Sequence, residues 1–324
     1  MQYETMKTAL LFPGQGAQIV GMGAEIAENF PKAAEIFKKA EDIVGFNLSQ
    51  VCFKGPAEKL NTTTISQPAI FVTSAAILEV LRNSQPDSVF TDADVTAGLS
   101  LGEYTALYAA GVLSFTDTLV LVQKRGQAMQ AAAEATEGAM VSIIGLDEEK
   151  VNRLCREAGE GELLAAVNFN CPGQIVISGT KDACERAEAL AEKYGAIKAV
   201  RLQVAGAFHT EMMVPAANML RGALANSDIH KPGRIAIIAN IDAEYYASAE
   251  GVAQGLIKQL TCPILWQKCM ERLLADGAEV FYEIGPGKVL TGLMKRISRK
   301  AKVTNISTLQ AVKQIIGTEA QANL

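Results

Sequence analysis

Five short apolar runs constrain this chain most: KTALLF (7–12), DVTAG (94–98), RIAIIAN (234–240), EVFYEI (279–284) and VTNIS (303–307). Each has the length of a buried strand, and helical patterns separate them. That spacing predicts a mainly parallel sheet covered by helices on both faces. SQPAIFVTSAAILEVL (66–81) reads as a helix with Ser66 as its cap and Pro68 in its first turn. EYTALYAAG reads as a helix stopped at Gly111. From residue 140 the rhythm changes. MVSIIG (140–145), ELLAAVNF (162–169), QIVISG (174–179) and AIKAVRLQV (196–204) read as strands. DEEKVNRLCREAG (147–159) and KDACERAEALAEKYG (181–195) read as helices, and NCPG (170–173) as a turn. The order β-α-β-β-α-β is that of the ferredoxin-like unit. The expected architecture is therefore α/β, with a discontinuous larger domain over 1–135 and 206–324 and a ferredoxin-like subdomain inserted at 136–205. Residues 1–5 read as a lead-in to the first strand, and the last fifteen as a polar helix or tail.

With 324 residues, 49% hydrophobic and only 20% charged, the chain can bury a large core. A net charge of −5 disfavours nucleic acid as the main partner. No uninterrupted run of about 18 apolar residues predicts a membrane span, and the N-terminus lacks the pattern of a signal peptide. The six cysteines never form a C-x-x-C pair, which gives no metal or redox motif and fits free thiols in a reducing cytoplasm. Cys171, in NFNCPG, has no local base and reads as structural.

The stretch GLSLGEYTAL (98–107) carries Gly-x-Ser-x-Gly between a strand and a helix. In that context the spacing places Ser100 on a sharp turn, and the following helix aims its first N–H groups at developing oxyanion charge. A serine elbow on such a sheet makes the larger domain α/β-hydrolase-like. A neutral serine needs a base, and the chain has two histidines. His230 lies in the polar, turn-rich SDIHKPG and reads as an exposed loop residue. His209 lies in VAGAFHTEMM, where the inserted unit returns to the larger one, a place suited to a cleft wall.

In SFTDTLVLVQKRGQAMQAAAEA (114–135), Arg125 shares the apolar stripe of Val122, Met129 and Ala132. A core-facing guanidinium demands a partner, either a carboxylate of the protein or one on a substrate. LLFPGQGAQIVGMG (10–23) has Ile19 where a dinucleotide fingerprint needs glycine, and no phosphate-loop motif occurs, so nucleotide binding is disfavoured. Its Gly-Gln-Gly loop can instead present backbone N–H groups to an oxyanion.

Taken together, FPGQGAQ (12–18), QPA (67–69), GLSLGEY (98–104), QKRG (123–126), NFNCPGQIVISG (168–179), GAFHT (206–210) and EIGPGKVLTGL (283–293) run in order across nearly the whole chain. In them the chain resembles the malonyl-CoA:acyl carrier protein transacylases. The resemblance implies transfer of a malonyl group from malonyl-CoA to the phosphopantetheine thiol of acyl carrier protein, with no cofactor. It implies Ser100 as nucleophile, His209 as base, and the amides of Gln15 and Leu101 as oxyanion hole. It implies Arg125 as the clamp on the malonyl carboxylate, with Met129, Asn168 and Phe208 lining the pocket. Phe208 beside the histidine matches the malonyl-type pattern. Two departures stand out. Leu99 replaces the histidine of the family's Gly-His-Ser, which is not the family's base. CPILW (262–266) stands where the family has P-V-x-W, which assigns the carbonyl orienting His209 to Leu265.

Alternative readings are a serine thioesterase or hydrolase, a polyketide-pathway acyltransferase acting in trans, and a non-catalytic acyl-carrier scaffold. KRISRKAK (295–302) concentrates five cations where an acidic carrier protein could dock, or simply forms a solvated face.

Overall fold

A computed structural model describes residues 8–204 and 206–322; the proposed lead-in at residues 1–5 lies outside them. Among the described residues there are nine strands: β1 (Thr8–Phe12), β2 (Val95–Gly98), β3 (Gly138–Ile144), β4 (Leu164–Cys171), β5 (Gln174–Thr180), β6 (Lys198–Arg201), β7 (Ala236–Ile237), β8 (Val280–Ile284) and β9 (Lys302–Ile306). One sheet has the order β7-β2-β1-β8-β9, all pairs parallel. The other, β4-β5-β3-β6, is antiparallel throughout. Its order is the ferredoxin-like one, as the order of elements in the sequence predicts.

The parallel sheet is buried on both faces, and β1 displays why its residues are apolar without interruption. Leu10 and Phe12 enter the main core cluster, whereas Ala9 and Leu11 enter a second cluster on the opposite face. The antiparallel sheet has its own core beneath helices Glu148–Gly159 and Lys181–Leu190, built on Val141, Ile143, Leu154 and Ile177. Its other face contributes Met140 and Val176 to the main core. β4 is tied to the loop before helix Trp266–Ala275, where Ile264 N donates to the Val167 carbonyl at 2.7 Å and Phe169 N to the Ile264 carbonyl at 2.9 Å.

Several boundaries differ from expectation for identifiable reasons. The long helix runs Thr63–Ser84, so Ser66 is not its cap and Pro68 lies inside it. Burial drives the extension: 83% of its most apolar window is inside the protein, although the helix is long and apolar enough to cross a membrane. The run 234–240 pairs with β2 in register at Ala236 and Ile237, and residues 244–246 fold back along its outer side. The strand expected at 196–204 pairs over Lys198–Arg201, and Leu202, Gln203 and Val204 turn away to line a cavity. The C-terminal segment is a helix, Leu309–Ala322, and it docks on the core through the buried Val312, so it is more than a polar tail.

Candidate active site

The carboxyl ends of β1 and β2 meet at one point, where ligands of parallel α/β sheets are usually held. Ser100 follows β2 and has φ 50, a left-handed conformation that a serine adopts only when its surroundings impose it. The imposition comes from close packing. A Cβ on Gly98 would lie 1.9 Å from the Gly102 carbonyl carbon, and one on Gly14 would lie 2.2 Å from the Leu99 oxygen. The glycines therefore let the chain double back at the elbow and let the first loop press against it. Asn240 locks the turn: its Oδ1 accepts from Ser100 N at 2.6 Å, and its Nδ2 donates to the Gly98 carbonyl at 2.8 Å.

His209 is buried and also left-handed, φ 62. Its loop is held by Ser178 Oγ donating to the Phe208 carbonyl at 2.9 Å and Thr210 Oγ1 to the Ala207 carbonyl at 2.7 Å. Nε2 of His209 is 3.0 Å from Ser100 Oγ, and Nδ1 is 2.7 Å from the main-chain oxygen of Gln259. A carbonyl can only accept, so Nδ1 carries the proton and Nε2 faces the serine as acceptor. Burial first, then the nearby Arg125 charge, push the imidazole down to about 4, so it is unprotonated at neutral pH.

The carbonyl expected from Leu265 does not fill this role. Leu265 O accepts from Cys269 N at 2.9 Å in the first turn of helix Trp266–Ala275. Gln259 is the last residue of helix Ala249–Gln259, and terminal helix carbonyls lack intrahelical partners. Its oxygen is therefore free for the imidazole, and the negative end of the helix dipole favours the charge that His209 gains on accepting a proton.

Arg125 is 1% exposed, and among the described residues no carboxylate lies within 4.0 Å of it. Neutral oxygens hold it instead. Nη1 donates to Gln67 Oε1 at 2.8 Å, while Nη2 donates to Gln259 Oε1 and to Ser100 Oγ, both at 3.0 Å. Its guanidinium lies over the Tyr104 ring at 5.5 Å, and Nε is buried without an acceptor. Of the two partners open to it, a protein carboxylate is thus not bonded to it in this structure.

A cavity of about 400 Å³ opens over Ser100. Gln15, Arg125, Met129, Asn168, Phe208 and His209 all line it. The amides of Gln15 and Leu101 have no acceptor among the described residues, although Leu101 itself lies outside the cavity lining. Asn168 and Asn170 stand two apart on β4, and each has a buried Oδ1 without a partner. His230 is exposed, 3.7 Å from Asp228 and outside the cavity lining. Cys171 is buried, and its thiol is pushed up by burial, which suits a structural role. Arg296 of the basic run is not a free cation. It bonds Gln174 Oε1 at 2.9 Å and the carbonyls of Pro172 and Gly173 at 3.0 and 3.3 Å.

Reasoning from the sequence passed over Gln67, Asn240, Gln259 and Glu103. Gln67 and Glu103 lie inside quoted motifs, and a polar residue within an apolar helix is their signal. Asn240 and Gln259 carry no local signal, since their partners are distant in the chain.

The acyl transferase domain model matches residues 9–318. Malonyl CoA-acyl carrier protein transacylase of Bacillus subtilis is 42% identical over 98% of both chains. The solved malonyl-CoA:acyl carrier protein transacylase of Xanthomonas oryzae superimposes with a TM-score of 0.91 at 40% identity, covering 98% of this chain and 99% of that one. A type II PKS acyl-carrier protein in complex with its malonyl-transacylase gives 0.91 at 38%, over 96% and 99%. With a serine, a neutral imidazole and a buried guanidinium converging on one cavity, and with these likenesses over almost its full length, the chain belongs to the acyl transferase family, among the malonyl CoA-acyl carrier protein transacylases.

Proposed function

We propose that this chain transfers a malonyl group from malonyl-CoA to the phosphopantetheine thiol of acyl carrier protein, as a step in fatty acid biosynthesis in the cytoplasm. The observation that carries this reading is the position of Ser100 Oγ, 3.0 Å from His209 Nε2 and 3.0 Å from Arg125 Nη2. A base and a carboxylate-binding cation thus meet at one nucleophile. A simple esterase has no need of the second.

In the first half-reaction Ser100 Oγ attacks the thioester carbonyl carbon while His209 Nε2 takes the hydroxyl proton. The amides of Gln15 and Leu101 receive the oxyanion. The C–S bond then breaks, the imidazolium returns its proton to the CoA sulfur, and a malonyl ester remains on Ser100. In the second half-reaction His209 deprotonates the carrier thiol, which attacks the ester; the bond to Ser100 Oγ breaks and the imidazolium returns its proton to that oxygen. Arg125 holds the distal carboxylate throughout, exchanging its bond to the free serine hydroxyl for bonds to that carboxylate. The CoA thioester and the phosphopantetheine arm are substrates, and no cofactor takes part. Residues 136–205 act as an inserted subdomain, which the separate antiparallel sheet supports, and supply the cavity wall bearing Asn168.

Incubation with malonyl-CoA and a separate carrier protein tests this. Intact-mass measurement should find a malonyl adduct on the wild type, none on Ser100→Ala, and malonylated carrier after mixing. Release of free malonate without carrier malonylation would show a hydrolase instead.

A further inference from the structure

The acid of the elbow motif, Glu103, has no part in the transfer chemistry, yet it sits at the centre of the bonds that hold it. It is 1% exposed. Its Oε2 accepts from Gln259 Nε2 at 2.7 Å and from Asn240 N at 3.2 Å, and its Oε1 is bonded by the Tyr246 hydroxyl. Both Oε2 donors belong to residues that grip the reacting groups. Asn240 locks the Ser100 turn, and Gln259 touches three of them at once. Besides its carbonyl on His209, Gln259 donates from Nε2 to the Ser100 carbonyl at 3.1 Å and accepts from Arg125 at Oε1. A side-chain amide has one donor end and one acceptor end. Because Nε2 faces two acceptors, Glu103 and the Ser100 carbonyl, Oε1 is obliged to face the guanidinium. A flipped amide would set N–H against N–H.

The same chain of bonds bears on charge. A guanidinium cannot shed its proton inside a protein, so Arg125 is a permanent buried cation bonded to neutral oxygens. An anion in direct contact would occupy the donors needed for a substrate. Glu103 stands one amide away, with Gln259 polarised between them: carboxylate, amide N–H, amide oxygen, guanidinium.

We propose that Glu103 is a positioning residue and the relayed counter-charge of Arg125, which offsets the buried cation without occupying its donors and so sets how strongly the site prefers an acyl group bearing its own carboxylate. The inference rests on the malonyl-transfer reading above. Glu103→Gln keeps the shape and the bonds, because the new side chain can accept from Gln259 and Asn240 through its oxygen and donate to the Tyr246 oxygen. Burial pushes the Glu103 carboxyl up to about 7, so above that pH, where the competition is run, the exchange removes only the charge. The cation left uncompensated then attracts a substrate carboxylate more strongly, through a low-dielectric interior. Glu103→Ala instead frees the Gln259 amide to turn, which loosens Arg125 and Ser100 for every acyl group.

The test is competition between malonyl-CoA and acetyl-CoA for Ser100, read as the ratio of the two acyl-enzymes by intact mass. Unfolded molecules take neither group, so the ratio is insensitive to a partial loss of folding. Glu103→Gln should raise the malonyl-to-acetyl ratio by roughly three- to tenfold. Glu103→Ala should slow both acylations together. Should Glu103→Gln fail to fold, Gln259→Glu reads the same quantity with opposite sign: a carboxylate directly on Arg125 should lower the ratio. An unchanged or lowered ratio in folded Glu103→Gln, or an unchanged ratio in Gln259→Glu, overturns the counter-charge. If the wild type takes no malonyl group, the transfer reading falls and this inference with it. A malonylated wild type with an unmoved ratio in the variant sinks the counter-charge alone.

Discussion

The main-chain oxygen of Gln259 lies 2.7 Å from Nδ1 of His209, while the side chain of the same glutamine reaches Arg125. One residue thus orients the base through its backbone and the carboxylate clamp through its amide. Gln259→Ala keeps the first bond and deletes the second, together with the amide's bonds to the Ser100 carbonyl and Glu103. The histidine should keep its tautomer, but the Ser100 turn loses one support, so acylation by acetyl-CoA should fall by about twofold to threefold. kcat/KM for malonyl-CoA should fall by about tenfold, equivalent to about 1.4 kcal/mol. Equal losses for both substrates would mean that the amide supports the whole site and not the clamp.

Removal of the clamp itself should be more severe. Arg125→Ala should lower kcat/KM for malonyl-CoA by roughly 100-fold or more, because a bidentate, charge-assisted pair is lost from a dry site. Uncharged acyl-CoA thioesters should gain relative to malonyl-CoA. A variant that keeps the malonyl preference would place the carboxylate elsewhere.

The pH response follows from the depressed His209. The base is lost only when the imidazole protonates, so the acidic limb of kcat/KM should lie near 4 and not near the ordinary histidine value of 6.5. Arg125→Met removes one of the two causes of the depression, and the limb should move up. Stability has the corresponding sign. Between about 4 and 6.5 the unfolded chain binds the proton that folded His209 refuses, so this contribution is present above 6.5 and lost as pH falls toward 4. Comparison of His209→Gln with wild type in urea melts across that window should isolate it: the stability of the wild type relative to the variant should fall as pH is lowered from 6.5 toward 4.

Glu283 anchors the wall on the far side of the cavity. Its carboxylate accepts from Leu290 N at 2.8 Å, Thr291 N at 2.9 Å, Thr291 Oγ1 at 2.5 Å and Asn305 Nδ2 at 3.1 Å. These bonds fix the start of helix Val289–Ile297, whose Val289 and Leu293 line the cavity. Glu283→Ala leaves four donors without their acceptor, and should cost about 2–4 kcal/mol by thermal or urea unfolding. KM for malonyl-CoA should rise alongside. A loss below about 0.5 kcal/mol would mean that water replaces the carboxylate freely.

Much of this was legible in the sequence, wherever a local pattern has one physical solution. Uninterrupted apolar runs such as KTALLF demand a strand buried on both faces, and β1 supplies Leu10 and Phe12 to one core and Ala9 and Leu11 to the other. The spacing of Gly98, Ser100 and Gly102 requires a turn too tight for side chains at its ends. Arg125 on an apolar stripe required a buried charge. The tertiary structure decided what those residues meet. Gln259 ends one helix and Leu265 caps the next, and only the packing of those helices determines which carbonyl is left unpaired at the imidazole. Lys295 and Arg296 look alike in sequence, yet Arg296 is committed to the turn at Pro172 and Gly173. Asn240 and Glu103 are 137 residues apart, and their bond at the elbow has no counterpart in any local pattern. Periodicity reports which way a side chain faces. Which atom receives its hydrogen bond depends on chain closure over long distances, and that is settled only when the sheets and helices pack.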